Sequence, residues 1–180
     1  MNLALQILLL WLVLQAAVTD LALRRIPNVL VLSGLVLSVL LHWRTGAEGA
    51  VLSTWLAGLA MGFFLFLPLY LLRGMAAGDV KLMAMVGAFA GPTLAFEIAV
   101  LSWLIGGVLA IGMLVANGRW RILVNNMKNL LWPLMCQIAG YRMHAVPIER
   151  HASAGGIPYG VAIALGTAAV VLEQHGFTFV

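Results

Sequence analysis

Long apolar stretches alternate with short polar segments along the whole chain. About 20 consecutive apolar residues cross the hydrocarbon core of a bilayer as an α-helix, and shorter stretches must thin the bilayer or lie displaced. Gly91 and Pro92 break the pattern, although the fourth and fifth stretches could also form one kinked helix. The pattern predicts an all-α polytopic membrane protein with about six transmembrane helices, at about residues 3–19, 28–43, 50–72, 79–91, 94–116 and 157–173.

The composition supports this class of protein and argues against others. Hydrophobic residues make up 63% of the 180 residues and charged residues 9%, whereas about a quarter of a soluble domain is charged. The formal net charge is +4, but the basic residues lie in short gaps between apolar stretches and form no stripe with interleaved aromatic residues. Nucleic-acid binding is therefore not expected. The single cysteine, Cys136, can form neither an intrachain disulfide nor a CxxC zinc site.

The basic residues predict how the chain crosses the membrane. No basic residue precedes the first apolar stretch, and Arg24 and Arg25 follow it, which indicates an uncleaved first helix with its N-terminus outside the cytoplasm. Six helices then place nine of the ten basic residues in the cytoplasm and only Arg44 outside, whereas five helices would divide them between the two sides. We therefore expect one membrane-embedded domain over residues 1–180, with a cytoplasmic loop at about 117–156.

The chain contains two aspartates, Asp20 and Asp79, and the predicted topology places both at cytoplasmic helix ends. A carboxylate at the centre of a bilayer-spanning helix costs about 2.5–3.5 kcal/mol, so such residues are usually functional. Two carboxylates are also the minimum for acid–base hydrolysis of a peptide bond. Each aspartate has a structural alternative, because Asp20 can offset Arg24 at the i+4 position and Asp79 can cap the fourth helix.

Other polar and small residues lie near the two aspartates in the sequence. Pro27 marks the start of the second helix, and Asn28 is its expected cap. Gly74 and Gly78 allow unusual backbone dihedral angles and the close approach of another chain segment. Lys81 is expected to face away from the aspartate and extend to the membrane surface.

A third cluster opens the last apolar stretch. Gly156, Gly160 and Ala164 recur at intervals of four residues, a spacing that suits close helix packing. Tyr159 lies at the start of the same helix and could donate a hydrogen bond into a site formed by the aspartates. Packing is the preferred interpretation of the small residues.

These three clusters match a known family. Segments 20–28, 74–82 and 157–164 resemble, in order and spacing, the motifs of the type IV prepilin peptidases, which are GxGD-type intramembrane aspartic proteases. The likeness extends over nearly the whole chain and points to the short members that serve tight-adherence (Flp) pilus systems. It implies that Asp20 and Asp79 are the catalytic pair, supported by the motif residues Pro27, Asn28, Gly74, Ala76, Gly78, Lys81 and Tyr159.

The chain departs from the family pattern in two respects. Ala76 stands where the glycine-rich motif has its first glycine. The added methyl group is tolerable if the backbone φ is negative there, and costs about 1–2 kcal/mol if φ is positive. The chain also lacks the cytoplasmic extension with CxxC pairs that is associated with N-methylation in bifunctional members. The resemblance therefore implies proteolysis without methyl transfer.

The resemblance also implies a mechanism and a substrate. Two neighbouring carboxylates cannot both ionise easily, so the pair would share one proton and activate a water molecule, with no metal or other cofactor. The substrate would be a prepilin or pseudopilin with a short basic leader, cut after a glycine at the cytoplasmic face of the bacterial inner membrane. Its hydrophobic segment would follow the cut and carry a glutamate shortly after it. The expected partners are this substrate helix and the lipid bilayer, and the oligomeric state stays open.

Two other functions remain open from the sequence. Paired intramembrane carboxylates also relay protons in transporters, although both aspartates lie on one predicted side and no inverted repeat is visible. A catalytically weak scaffold that only binds prepilins would also fit Ala76. Replacing either aspartate by asparagine separates these functions, because a protease would stop cutting and a scaffold would still bind.

Overall fold

A computed structural model describes residues 3–45, 51–72, 74–116, 118 and 158–174, and this part of the chain contains helices and no strand. The prediction of an all-α fold with six helices is confirmed. The predicted loop at 117–156 lies outside the described residues, apart from Gly118. The helices are α1 Leu3–Leu23, α2 Asn28–Thr45, α3 Val51–Leu71, α4 Ala77–Ala90, α5 Pro92–Ala116 and α6 Tyr159–Glu173.

Three of these helices, α1, α3 and α5, are long and apolar enough to cross a membrane, and α2 and α6 are shorter apolar helices. On α1, large apolar side chains are exposed every three or four residues, as at Ile7, Trp11, Leu14 and Val18. Such a stripe suits contact with lipid, because the bilayer core is as apolar as the side chains. The chain is a polytopic membrane protein, while the side of the membrane that each loop faces stays a prediction.

The opposite face of α1 is buried and leads to Asp20. Leu12, Ala16 and Asp20 are buried at intervals of four residues, which places them above one another on a helix. The sequence predicted that this helix ends at about residue 19, but it continues to Leu23. The helix ends only where Arg24 adopts a left-handed backbone with φ 54°, so Asp20 lies inside the last turn and not beyond it.

The short helix α4 lies among the other helices. Ten of its 14 residues are buried, and it packs against α1, α2, α3 and α6. A helix that is covered on most of its surface needs apolar residues nearly all round and not in a single stripe. This position places Asp79, in the first turn of α4, inside the bundle.

Helices α3 and α4 approach each other through glycines. A Cβ on Gly58 would overlap the carbonyl oxygen of Gly87, and a Cβ on Gly62 would overlap that of Met83. The spacing of Gly58 and Gly62 is the small-xxx-small pattern that lets two membrane helices touch backbone to backbone. This contact fixes α4 against one of the spanning helices.

The fourth and fifth apolar stretches form two helices and not one kinked helix. Gly91 lies between α4 and α5 with φ 80°, a backbone conformation that glycine adopts without steric cost. Its N–H donates to the carbonyl of Gly87 at 2.8 Å, and Pro92 begins α5, where its missing N–H is not needed.

Contacts group residues 1–107 with 157–180 in one compact unit and residues 108–156 in a second. All of α1 to α4 and α6 belongs to the first unit. Within it, α1 and α6 run antiparallel, since Gln6 bonds to Gln174 at one end and Asp20 bonds to Gly160 at the other. The prediction that residues 1–180 form a single domain stays a prediction.

Candidate active site

Asp20 is held by the first turn of α6. Its side chain is 7% exposed, and its Oδ2 atom accepts a 2.8 Å hydrogen bond from the backbone N–H of Gly160. The first N–H groups of a helix have no partner within the helix, and the helix dipole favours a carboxylate beside them. The positive charge of Arg24 also acts on Asp20. Asp20 therefore has both the predicted charge interaction with Arg24 and the hydrogen bond from α6.

Gly160 leaves no room for a side chain beside Asp20. A Cβ there would lie 2.9 Å from Oδ2 and 3.0 Å from Cβ of Asp20. From the sequence, we interpreted Gly160 as a residue for helix packing. In the structure, its backbone N–H has a second role as the donor to Asp20. A glycine at this position therefore permits the hydrogen bond as well as the close contact between α1 and α6.

Asp79 is held by its own helix. It is 5% exposed, and its Oδ2 accepts a 3.1 Å hydrogen bond from the N–H of Ala76, the residue that precedes α4. This is the half of a capping box in which an acidic side chain reaches back to the start of the helix. The predicted capping role of Asp79 is therefore present, and the cap fixes the carboxyl group at the start of α4.

The two aspartates lie on helices that pack together, although they are 59 positions apart in the sequence. Helices α1, α4 and α6 pack against one another in all three pairs. Asp79 interacts electrostatically with Asp20 and with Tyr159. Three elements thus meet at one place, each with one residue of the site predicted from the sequence.

The contacts of Tyr159 are mainly those of its ring. The ring lies edge-on to Phe66, with centroids 6.4 Å apart. A Cβ on Gly106 would lie 2.6–2.9 Å from three atoms at the hydroxyl end of the ring, so the glycine on α5 makes room for the tyrosine. A hydrogen bond from Tyr159 into the site stays a prediction.

Pro27, Asn28 and Lys81 lie at the edge of this site. The carbonyl of Pro27 accepts from the N–H groups of Leu30 and Val31. Pro27 therefore occupies the capping position of α2, and the prediction of Asn28 as the cap is wrong. Asn28 is the first residue of the helix, and its Oδ1 accepts a 3.1 Å hydrogen bond from Nζ of Lys81. Lys81 is exposed, as expected, but its ammonium group bonds to α2.

The backbone of the glycine-rich segment is unstrained at Ala76, the position where the sequence differs from the family pattern. Ala76 has φ −84° and ψ 155°, an extended conformation that any residue adopts. The added methyl group therefore causes no backbone strain. Gly74 donates to the carbonyl of Leu69 at 2.8 Å, and Gly78 lies beneath Ile26, with van der Waals contact for a Cβ at 3.4 Å.

Sequence reasoning missed two groups of the site, which are the backbone N–H of Gly160 and that of Ala76. The first had no local signal, because its partner lies 140 positions away. The second had one, since an acidic residue three positions after the residue that caps a helix is part of the capping-box pattern. Among the described residues, no group of three or more His, Cys, Asp or Glu side chains could hold a metal ion.

The fold and the site define a helical membrane protein with a buried pair of carboxyl groups at adjoining helix ends. The chain belongs to the type IV leader peptidase family, whose family model matches residues 7–111. The match includes Asp20 and Asp79 and stops before α6. The family places the chain among the proteases. Searches of curated proteins and of solved structures give no significant match.

Proposed function

We propose that the protein is an intramembrane aspartic endopeptidase that removes the short basic leader from Flp-type prepilins or pseudopilins. Asp20 and Asp79 are its catalytic pair, and the cut is made at the cytoplasmic face of the bacterial inner membrane. The reaction serves pilus biogenesis or a related secretion system. Membership of the leader peptidase family supports the substrate class, and the positions of the two aspartates support the catalytic type.

One observation carries the catalytic assignment. Two carboxyl groups from different helices are both more than nine-tenths buried, and Asp79 lies within range of the charge of Asp20. Each is oriented by one backbone N–H donor. Burying two such groups costs free energy. Ionisable residues that persist in a membrane protein at this cost are usually functional. A pair that shares one proton supplies both a base and an acid, which is what hydrolysis of a peptide bond requires.

The chemistry follows from that pair. The ionised member takes a proton from a water molecule, and the resulting hydroxide attacks the scissile carbonyl carbon. The protonated member donates its proton to the carbonyl oxygen, and a proton then passes to the leaving amine as the C–N bond breaks. The N–H groups of Gly160 and Ala76 keep the carboxyl oxygens oriented during this exchange, and bilayer and helices limit access of other water.

The structure weakens the case for an inactive scaffold. That alternative depended on Ala76 distorting the motif, and the negative φ of Ala76 removes this reason. A proton relay would need ionisable groups farther along a path through the membrane. Within the described residues, the two buried aspartates lie at adjoining helix ends, and no buried acidic or basic residue continues from them.

Co-expression with a prepilin tests the proposal. The substrate carries a basic leader and an apolar helix, and leader removal is followed on a gel, with the new N-terminus read by mass spectrometry. The wild-type chain is compared with Asp20→Asn and Asp79→Asn, and Glu97→Gln is the matched control because this exposed carboxylate lies on α5. We expect cutting by wild type and by the control only. Cutting that survives in either aspartate variant would exclude the carboxyl pair, and co-purification without cutting by wild type would indicate a scaffold.

A further inference from the structure

Two contacts join the turn between α1 and α2 to the start of α4. The side chain of Ile26 lies over Gly78, where a Cβ would be 3.4 Å from the isoleucine Cβ. Two residues later, at the start of α2, Asn28 accepts the 3.1 Å hydrogen bond from Lys81. The contacted residues of α4 stand on either side of Asp79 in the sequence. The turn therefore touches α4 at the two places that flank its carboxyl group.

The other end of the same turn is joined to Asp20. The N–H of Arg24 donates to the backbone carbonyl of Asp20 at 3.0 Å, and Arg24 has φ 54°. A residue other than glycine persists in this left-handed conformation only when its surroundings hold it there. The contacts of Ile26 and Asn28 with α4 follow two and four residues later in the chain.

The turn is thus a short connection between the two aspartates. It is bonded to the backbone of Asp20 at one end, and at the other it contacts the neighbours of Asp79. Lys81 and Asn28 are both exposed, so their hydrogen bond contributes little to folding compared with the buried helix contacts. Its position suits a role in setting the geometry of the site, where small displacements have large effects on rate.

We propose that the hydrogen bond between Lys81 and Asn28 positions the two aspartates relative to each other, which makes both residues positioning residues of the peptidase. The proposal rests on the proposed function. Neither residue needs to touch the scissile bond, and neither side chain takes or gives a proton. Loss of the bond lets the start of α4 move relative to the turn, so the two carboxyl groups meet in the reactive arrangement less often.

The test uses the purified full-length chain in lipid nanodiscs and a precursor peptide with a basic leader and an apolar helix. The variants are Lys81→Met, which keeps most of the aliphatic stem, Asn28→Ala, their double variant, and the exchange of Lys81→Asn with Asn28→Lys. Arg25→Met is the matched control, since it removes an exposed cation from the same turn. The rate constant kcat, KM and the thermal midpoint are measured for each.

We expect each single variant to lower kcat by about 10- to 100-fold with KM and the thermal midpoint nearly unchanged. The double variant should be no slower than either single variant, because both remove the same bond. The exchanged pair should recover part of the rate, and the control should match wild type.

Three results would overturn the proposal while leaving the peptidase assignment in place. These are unchanged kcat in both single variants, losses that multiply in the double variant, and losses of kcat that accompany an equal loss of thermal stability. A wild-type chain that cuts no precursor would overturn the proposed function itself, and the positioning role with it.

Discussion

The backbone N–H of Gly160 donates a 2.8 Å hydrogen bond to the Oδ2 atom of Asp20, which lies 140 positions earlier in the chain. This bond joins the last described helix to the first. It also satisfies a donor that has no partner within its own helix, because Gly160 lies in the first turn of α6. The orientation of Asp20 therefore depends on a residue that lies outside the segment matched by the family model.

Gly160→Ala is expected to lower the cleavage rate by about 10- to 100-fold, because the new Cβ would displace the Asp20 carboxyl group and misalign the pair. Gly107→Ala is the matched control. It makes the same chemical change in a helix, but nothing lies within 4 Å of the added Cβ, so its rate should equal that of wild type. Rates are measured with purified chain and a precursor peptide. Equal rates for both variants would show that Asp20 does not depend on its contact with α6.

Ala76→Gly should leave the cleavage rate within about threefold, because Ala76 already has an extended backbone with φ −84° that both residues adopt. Glycine gains freedom in the unfolded chain, which costs about 0.4–1 kcal/mol, but glycine is preferred over alanine at the capping position before a helix. The two effects offset each other, so the thermal midpoint should change little. The rate and the thermal midpoint are followed together. A rise in rate of tenfold or more would mean that the alanine does restrict the site.

Gly62→Ala should destabilise the protein by about 1–3 kcal/mol, because the new Cβ would overlap the carbonyl oxygen of Met83 and push α3 away from α4. The thermal midpoint in a fixed detergent is the measurement, and Gly107→Ala again provides the control. A midpoint equal to that of the control would show that α3 and α4 can separate without cost.

Tyr159→Phe should keep the cleavage rate within a few-fold of wild type, since the ring makes the contact with Phe66 and two of the three close approaches to Gly106. Tyr159→Ala should lower the thermal midpoint. Replacing a fully buried aromatic residue by alanine costs about 3–5 kcal/mol, and the cost should be smaller for Tyr159 because it is only partly buried. A loss of rate of about 100-fold in the phenylalanine variant would instead assign the hydroxyl a part in the acid–base chemistry.

The helices could be predicted from the sequence because their signal is local. Apolar stretches of sufficient length and the Gly91–Pro92 break were enough for six helices. The cytoplasmic side of both aspartates, which we inferred from the basic residues, stays a prediction. The end of α1 was predicted too early, since residues 20–23 are compatible with a helix and the stop signal is the backbone conformation of Arg24.

The contacts between distant residues could not be predicted, because no local pattern specifies them. Lys81 was correctly expected to be exposed, but nothing near it in the sequence indicates Asn28, 53 positions earlier, as its partner. The glycines at 58 and 62 did carry a signal, the small-xxx-small spacing, although we interpreted that spacing only in the last helix. The role of Gly160 as a donor required the antiparallel pairing of α1 and α6.

The central claim is that Asp20 and Asp79 act as one catalytic unit. The most direct measurement is the single-turnover cleavage rate of a precursor peptide by purified wild type, Asp20→Asn, Asp79→Asn and the double variant. The account predicts that each single variant loses at least about 100-fold in rate, and that the double variant is no slower than the single ones, because either change alone disables the unit. A single variant within tenfold of wild type, or losses that multiply in the double variant, would contradict it.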